Sequence, residues 1–276
     1  MTIWSWQGGC LELAHGRVLR VVVADEPAFW TATEPTDWNV GGDRLWLGPE
    51  DDWFWSTDDH TDLNGHTVPP DIDPGCWTTE THDHHAELTM RAELTHRRTG
   101  EVTSVRVQRE IDLLTTTPYA VTYRTRTTLD VLAGPPGQAV DAWSVLQVPD
   151  GGAVEVALAG PLTYRDHLTP MDPSRIVDEG DRATIALTGQ AMFKIGFSPQ
   201  AVAGHITYVR GPLIIDRTID IHPTRPYRED AIQIFDDDGH YGGYAELEHH
   251  SAAAITSPDG TAHTTDVCTT TIRRQP

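Results

Sequence analysis

Apolar and polar residues alternate with a period of two along most of the chain. Apolar side chains occupy every second position from Ala86 to Leu94, and the same alternation recurs around Val105, Val121 and Leu213. A period of two predicts strands that bury one face, and the abundance of threonine, valine and isoleucine agrees with it. No long segment has the spacing of an amphipathic helix, so the pattern predicts an all-β protein.

Turn-forming residues separate the alternating segments. Glycine, proline and aspartate cluster between them, at 98–100, 134–137, 149–152, 236–239 and 258–260. This spacing predicts about 15 to 18 antiparallel strands. Three long strands, at about 86–97, 101–114 and 118–132, are joined by short turns and should form a meander in a large sandwich.

One stretch departs from this pattern. Residues 50–81 are rich in Asp, Pro, Trp and His and do not alternate, so we expect a long ordered loop with a functional role. No linker of biased composition divides the sequence, and we interpret residues 1–276 as a single domain.

The net charge of the chain limits the classes of partner that it can bind. The 41 acidic and 20 basic residues leave a net charge of −21. Such a chain is poorly suited to nucleic acid or to an anionic membrane surface. With three scattered cysteines and no basic leader before an apolar segment, we expect a cytoplasmic protein without disulfides. The sequence leaves its oligomeric state open.

The string GGDRLWLGPE at 41–50 carries the first candidate site. Alternation places Arg44 and Trp46 on one face of a short strand. A guanidinium group beside an indole suits a polyol or a sugar acid, because one binds oxygen atoms and the other stacks on C–H faces. The same residues would also fit a structural turn, with Trp46 in the core and Arg44 paired with an acid.

That string resembles a signature of uncharacterised families with the galactose mutarotase-like fold, in which GG-x-[RK]-LW-x-[AG]-P-[EQ] occurs near the N-terminus. Three further segments resemble the same group in the same order, at 142–147, 192–197 and 243–250. The resemblance implies a β-supersandwich whose concave sheet binds carbohydrate.

The resemblance also implies a chemistry. In aldose mutarotases of this fold a histidine acts as general acid on the ring oxygen, and a late glutamate acts as general base on the anomeric hydroxyl. The counterpart of that glutamate is Glu246 or Glu248, which share one face of the predicted strand, although both could also be solvated carboxylates on an acidic surface. The family's Asn-His pair is replaced here by Ala142-Trp143-Ser144, so no histidine occupies that strand.

Lys194 is the sole lysine of the chain and points away from the layer that Phe193 and Ile195 fill. It could bind a carboxylate, a phosphate or a ring oxygen, or supply a proton, or simply lie on the surface. We therefore predict a catalytic set and a ligand-binding set of residues. The catalytic set is Glu246, Glu248 and Lys194, and the binding set is Arg44, Trp46, Glu50, Trp143, Gln147 and His249.

The 14 histidines raise the alternative of a metal site. On one strand His82 and His84 would share a face, and His249-His250 is a second pair. His60 and His66 lie in the long loop with several aspartates, where they could close over a ligand or simply be solvated. No metal-binding motif occurs, and we predict neither a metal nor a cofactor.

Three functions remain open from the sequence. The first is a carbohydrate-active isomerase that acts on a small sugar or sugar acid with a late glutamate as base. The second is a carbohydrate-binding protein without catalysis, which the missing central histidine favours. The third is a lyase or epimerase that acts on a specialised metabolite, because one scaffold supports many reactions.

Overall fold

The fold is described from a computed structural model that covers residues 1–34, 38–60 and 62–275. Within those ranges nearly all of the regular secondary structure is β-strand. The first strands are β1 (Thr2–Trp6), β2 (Gly9–Ala14), β3 (Arg17–Val23), β4 (Glu26–Pro27), β5 (Asp43–Gly48), β6 (Thr78–His82), β7 (His85–Thr95), β8 (Val102–Thr117), β9 (Ala120–Ala133) and β10 (Ala139–Pro149). The remaining strands are β11 (Gly152–Leu158), β12 (Arg165–Asp166), β13 (Ile176–Asp178), β14 (Arg182–Leu187), β15 (Phe193–Phe197), β16 (Val202–Arg210), β17 (Leu213–Ile219), β18 (Ile232–Asp236), β19 (Tyr244–His250), β20 (Ala254–Ile255) and β21 (Ala262–Arg274).

Helical structure is short in the described part of the chain. It consists of α1 (Glu50–Trp53) and two 3-10 turns, Leu63–Gly65 and Pro173–Arg175. None of the described helices is long and apolar enough to cross a membrane. The prediction of an all-β protein is confirmed.

The predicted meander is confirmed as well. Strand β7 pairs with β8, and β8 pairs with β9, all antiparallel and joined by short turns. The predicted number of strands was too low, because β4, β12, β13 and β20 have only two or three residues each. Strands that short cannot produce a visible alternation in the sequence.

The strands form two sheets. The first has the order β1-β2-β3-β5-β10-β19-β18-β15-β12, with β4 beside β3 and β20 beside β10. The second has the order β13-β14-β11-β16-β17-β21-β9-β8-β7-β6. Apolar side chains from the facing sides pack between them, such as Leu146 and Leu247 from the first sheet and Ile206 and Ile215 from the second. The chain is thus a sandwich of two antiparallel sheets.

A polar cluster crosses this core. Asp43 of β5 is fully buried, and its carboxylate accepts hydrogen bonds from Arg109 at 3.1 Å and from Tyr123 at 2.9 Å. Arg217 lies 3.6 Å from the same carboxylate. Burial opposes ionisation of Asp43, but the two arginines outweigh it and lower its pKa. Two arginines and a tyrosine from three strands of the second sheet therefore anchor β5.

The middle strands of the first sheet are buried on both faces. Every residue of β5 and β19 is buried, although the alternation elsewhere is that of half-buried strands. The segment after β5 explains the difference, because Phe54 packs on Trp46 at 5.1 Å and on Trp143 at 5.4 Å between ring centroids. The long segment between β5 and β6 thus covers the outer face of this sheet, the side turned away from the second sheet.

Candidate active site

A cleft opens on the outer face of the first sheet. It contains about 550 Å³ of empty space, part of which is open solvent at its mouth. Its aromatic lining comprises Trp38, Trp46, Trp55, Trp143, Phe235, Tyr241 and Tyr244. Its ionisable side chains are Arg44, Glu50, His66, Lys194 and Glu246. Stacking surfaces next to charged groups suit a ligand that has both C–H faces and hydroxyl groups.

Glu246 presents one carboxylate oxygen to this cleft. Its Oε1 accepts a hydrogen bond from Arg44 Nη2 at 2.6 Å and another from Gln147 Nε2 at 3.1 Å. Its Oε2 has no hydrogen-bond partner among the described residues. It is also not one of their buried polar atoms that lack a partner, so it remains accessible from the cleft. Burial, opposed by Arg44 and reinforced by Glu248, raises the pKa of Glu246 to about 7. A carboxylate with that pKa can accept and return a proton near neutral pH.

Glu248 faces the same side of β19 but lies behind the cleft. It is fully buried, and its Oε2 accepts a hydrogen bond from Trp143 Nε1 at 2.7 Å. Lys194 Nζ lies 3.2 Å from the same oxygen. The shared face predicted for the two glutamates is present, and of the two only Glu246 lines the cleft.

Lys194 joins two carboxylates across the floor of the cleft. Its Nζ donates to Glu50 Oε2 at 2.8 Å and lies over the ring of Trp143, 4.5 Å from the centroid. Burial alone would lower the pKa of Lys194, but Glu248 and Glu50 raise it well above its usual value. Lys194 therefore stays an ammonium ion and acts as a hydrogen-bond donor with a fixed charge.

Arg44 and Trp46 share one face of β5, as alternation predicts. The Arg44 guanidinium lies 3.9 Å from the centroid of the Trp46 ring and 5.4 Å from that of Trp38. The Trp46 indole donates to Asp73 at 2.7 Å. Both sequence interpretations hold in part, since Arg44 is paired with an acid and Trp46 is buried, and yet both line the cleft.

Two predicted ligand-binding residues do not reach the cleft. Gln147 is fully buried beneath Glu246 and donates to Glu246 and to Asn39. His249 points to the opposite face of β19, between the sheets, where Nε2 lies 3.0 Å from Asp266 Oδ2. Successive side chains on a strand alternate between its faces, so His250, not His249, shares the face of Glu246.

His250 supports the floor of the cleft. Its ring stacks on Trp143 with centroids 5.2 Å apart, and its Nδ1 lies 2.7 Å from Asp141 Oδ1. Burial opposes protonation of His250, but Asp141 outweighs it and raises its pKa. Gly48 on β5 is required here, because a Cβ at that position would approach the Asp141 carboxylate to 2.5 Å.

His66 is a functional candidate outside the predicted catalytic and binding sets, although the sequence places it in a loop that could close over a ligand. It follows the 3-10 turn at Leu63–Gly65, lines the cleft and stacks on Phe54 with centroids 5.6 Å apart. Its Nε2 lies 3.4 Å from Glu50 Oε1, and Nδ1 has no hydrogen bond within the described ranges. The only signal in the sequence is its presence in a long loop rich in tryptophan and histidine.

The remaining histidines do not assemble a metal site in the described residues. His82 ends β6 and His85 begins β7, and the two pair across a tight turn that contains His84. The idea that His82 and His84 share a face of one strand was therefore wrong. No group of three or more His, Cys, Asp or Glu side chains in the described ranges could hold a metal ion.

A loop between β18 and β19, residues 237–243, forms one rim of the cleft. The buried carboxylate of Asp237 accepts hydrogen bonds from the backbone N–H groups of Gly239, Tyr241, Gly243 and Tyr244. These four bonds fix the loop, so that the rings of Tyr241 and Tyr244 face the cleft. We call residues 237–243 the rim loop.

Comparison with known proteins supports the fold. Residues 29–131 match a family described as a family of unknown function, DUF6786, which spans less than half of the chain. No curated protein sequence matches the chain.

Three solved structures resemble it over nearly its whole length. YeaD of Salmonella typhimurium, provisionally described as a mutarotase, has a TM-score of 0.55 at 9% identity, with 99% of this chain and 90% of that chain covered. The Slr1438 protein of Synechocystis sp. PCC 6803 has a TM-score of 0.53 at 13% identity, covering 98% and 93%. Galactose 1-epimerase of Lactobacillus acidophilus NCFM has a TM-score of 0.51 at 7% identity, covering 99% and 93%. The predicted galactose mutarotase-like sandwich is therefore confirmed as the fold.

Proposed function

We propose that the cleft binds an aldose sugar and interconverts its two anomers, with Glu246 as general base. The observation that carries this proposal is the asymmetry of the Glu246 carboxylate. Arg44 and Gln147 hold Oε1, whereas Oε2 is left for a ligand. A base needs an oxygen within hydrogen-bond reach of the proton that it removes, and a pKa near the working pH.

His66 is the general acid of this proposal. The strand position of the family's histidine holds Trp143 instead, and His66 enters the same cleft from the loop. Glu50 lies beside Nε2 and orients the ring, which leaves Nδ1 to donate to a ring oxygen. A carboxylate that orients a histidine in this way is a recurrent arrangement in acid–base catalysis.

The proposed reaction conserves protons. Glu246 removes the proton of the anomeric hydroxyl while His66 protonates the ring oxygen, and the bond between the anomeric carbon and that oxygen breaks. The open-chain aldehyde rotates about its terminal carbon–carbon bond. Ring closure then returns the proton of Glu246 to the new anomeric oxygen and restores the proton of His66.

The charges of the cleft favour an uncharged sugar. Arg44 is already paired with Glu246, and Lys194 is paired with Glu50 and Glu248. A sugar acid would have to displace one of these carboxylates, whereas hydroxyl groups can add to the hydrogen bonds that remain. The aromatic lining supplies the stacking surface for the C–H faces of the ring.

A binding protein without catalysis is the second candidate. The specific observation in its favour is Trp143, which stands where the family's histidine is expected and is sealed against Glu248 and His250. In that case the cleft would bind a sugar and leave its anomers unchanged.

Magnetisation-exchange NMR on a panel of aldoses separates the two candidates. We expect the wild-type protein to accelerate exchange between the α and β resonances of a bound sugar, and Glu246→Gln to slow it at least about 100-fold while binding persists. The matched control is Glu229→Gln, because burial raises the pKa of Glu229 to about 7 but this residue does not line the cleft. Binding without accelerated exchange would establish the second candidate. An unchanged rate in Glu246→Gln would refute the role of this residue.

A further inference from the structure

A chain of side-chain hydrogen bonds connects the rim loop to the proposed base. Asn39 Nδ2 donates to the backbone oxygen of Tyr241 at 3.1 Å. Gln147 Nε2 donates to Asn39 Oδ1 at 3.0 Å and to Glu246 Oε1 at 3.1 Å. Two amide side chains thus span the distance between a residue that lines the cleft and the carboxylate at its floor.

This connection runs through the interior. Gln147 is fully buried on β10, directly opposite Glu246 on β19, and Asn39 is 6% exposed. Both protons of the Gln147 amide nitrogen are used, one at each end. Buried hydrogen bonds of this kind fix a geometry, because a broken bond leaves a polar group unpaired in the interior.

The connection selects which oxygen of Glu246 faces the ligand. Arg44 and Gln147 approach Oε1 from two neighbouring elements, so rotation of the carboxylate would break both hydrogen bonds. With Arg44 alone, the carboxylate would keep a single restraint. The second donor also favours the ionised form, because a hydrogen bond to a carboxylate lowers its pKa.

The far end of the connection lies where a ligand would make contact. Tyr241 belongs to the rim loop that Asp237 fixes, and its ring packs edge-on against Trp38 with centroids 6.0 Å apart. Both rings line the cleft. A ligand that shifts the backbone of Tyr241 would therefore also shift Asn39, and through Asn39 it would shift Gln147.

We propose that Gln147 and Asn39 are positioning residues that hold Glu246 in its base-competent orientation and couple it to the rim loop. This inference rests on the proposed function for its meaning in catalysis. Its physical content, a restraint on the Glu246 carboxylate, can be measured without turnover.

Several charged and titratable groups surround Glu246 and can influence its pKa. They are Arg44 on β5, Glu248 on β19, Lys194 on β15, and Tyr241 and Tyr244 at the rim. None of them is altered in the variants below, so a change in the titration of Glu246 reports on the amide connection.

The experiment is a titration of side-chain carboxyl ¹³C resonances in labelled protein, with the Glu246 signal assigned by its loss in Glu246→Gln. We expect Gln147→Met, which keeps the length but removes the donor, to raise the pKa of Glu246 by about one pH unit. The matched control is Gln233→Met. Gln233 is buried on the same face, but it pairs with Glu248 on β19, so the pKa of Glu246 should stay unchanged.

Asn39→Ala supplies a second variant outside the strands, and we expect it to raise the same pKa by a smaller amount. In the double variant with Gln147→Met the two effects should not add, because Asn39 acts through Gln147. An unchanged pKa in Gln147→Met, an equal change in Gln233→Met, or additive effects would each overturn the inference.

The two proposals fail separately. If wild-type protein accelerates anomer exchange, the acidic limb of its rate against pH should move upward in Gln147→Met by the same amount as the titration. If no sugar shows exchange, the proposed function fails, while the carboxyl titration still decides whether Gln147 and Asn39 restrain Glu246.

Discussion

Glu246 and Glu248 stand two residues apart on β19 and face the same side, but their carboxylates occupy different surroundings. Glu246 lines the cleft, and its Oε2 has no hydrogen-bond partner within the described ranges, whereas Glu248 is buried beneath Trp143 and paired with Lys194. Like charges this close disfavour double ionisation, and Glu248 contributes to the raised pKa of Glu246. The strand thus places one carboxyl group in the cleft and a second, ion-paired one behind it, from neighbouring positions of one face.

The stability of the protein should depend on pH through Glu246. Its pKa rises from 4.5 to about 7 on folding, so the folded chain keeps a proton that the unfolded chain has lost. The stability that this proton contributes is complete below pH 4.5 and is lost as the pH rises through about 7. The loss amounts to about 3 kcal/mol.

We expect Glu246→Gln, which cannot titrate, to escape that loss. Urea unfolding between pH 4.5 and pH 8 should show its unfolding free energy rising relative to wild type by about 3 kcal/mol. Glu80→Gln, at an exposed position of the edge strand β6, is the control and should follow the wild-type profile. Parallel profiles for Glu246→Gln and wild type would contradict the prediction.

Removal of the Lys194 charge should destabilise the fold. Lys194→Met leaves the fully buried Glu248 and the partly buried Glu50 without their shared cation, and we expect a loss of about 3–5 kcal/mol in unfolding free energy. Adding Glu248→Gln to this variant removes one orphaned charge and should restore part of the loss. Equal stability of wild type and Lys194→Met in denaturant unfolding would show that the ammonium group is not needed to balance these acids.

His66 should affect catalysis far more than folding. We expect His66→Gln to reduce anomer exchange by about 100-fold or more, because the ring oxygen loses its acid. His60→Gln is the matched control, since His60 belongs to the same loop and pairs with Asp51 without lining the cleft. A similar loss in both variants would indicate a general disturbance of the loop.

The polar cluster between the sheets gives a prediction independent of any ligand. Asp43→Asn leaves Arg109 and Arg217 in the core with a weakened partner, and the expected loss of stability is about 3–5 kcal/mol. Asp130→Asn breaks an ion pair with the half-exposed Arg106 and should cost only about 0–1 kcal/mol. Thermal unfolding of the two variants provides the comparison, and equal losses would show that burial does not govern the cost.

The sequence predicts the long strands well because the alternation that indicates a strand lies within the strand itself. Alternation identifies β7, β8 and β9, and it places Arg44 with Trp46 on one face of β5. The same rule, applied to β19, distinguishes His250 from His249, so the information needed for that correction was present in the sequence.

Other parts of the site have no local signal. His66 reaches the cleft through the path of an irregular loop, and Tyr241 through a turn that one buried aspartate organises. Gln147 has the parity of a cleft residue, but the carboxylate of Glu246 on the next strand covers it. Contacts between distant segments decide these positions, and periodicity carries no information about them.

Internal pairing of Arg44 and Lys194 has a consequence for association kinetics. Because both cations are neutralised within the cleft, they offer no long-range attraction to an approaching ligand, and the chain around them carries a net charge of −21. Encounter with an uncharged sugar should therefore proceed without electrostatic steering and vary little with ionic strength. We expect an anionic metabolite of the same size to associate more slowly, most of all at low ionic strength, because the net charge of the chain opposes its approach.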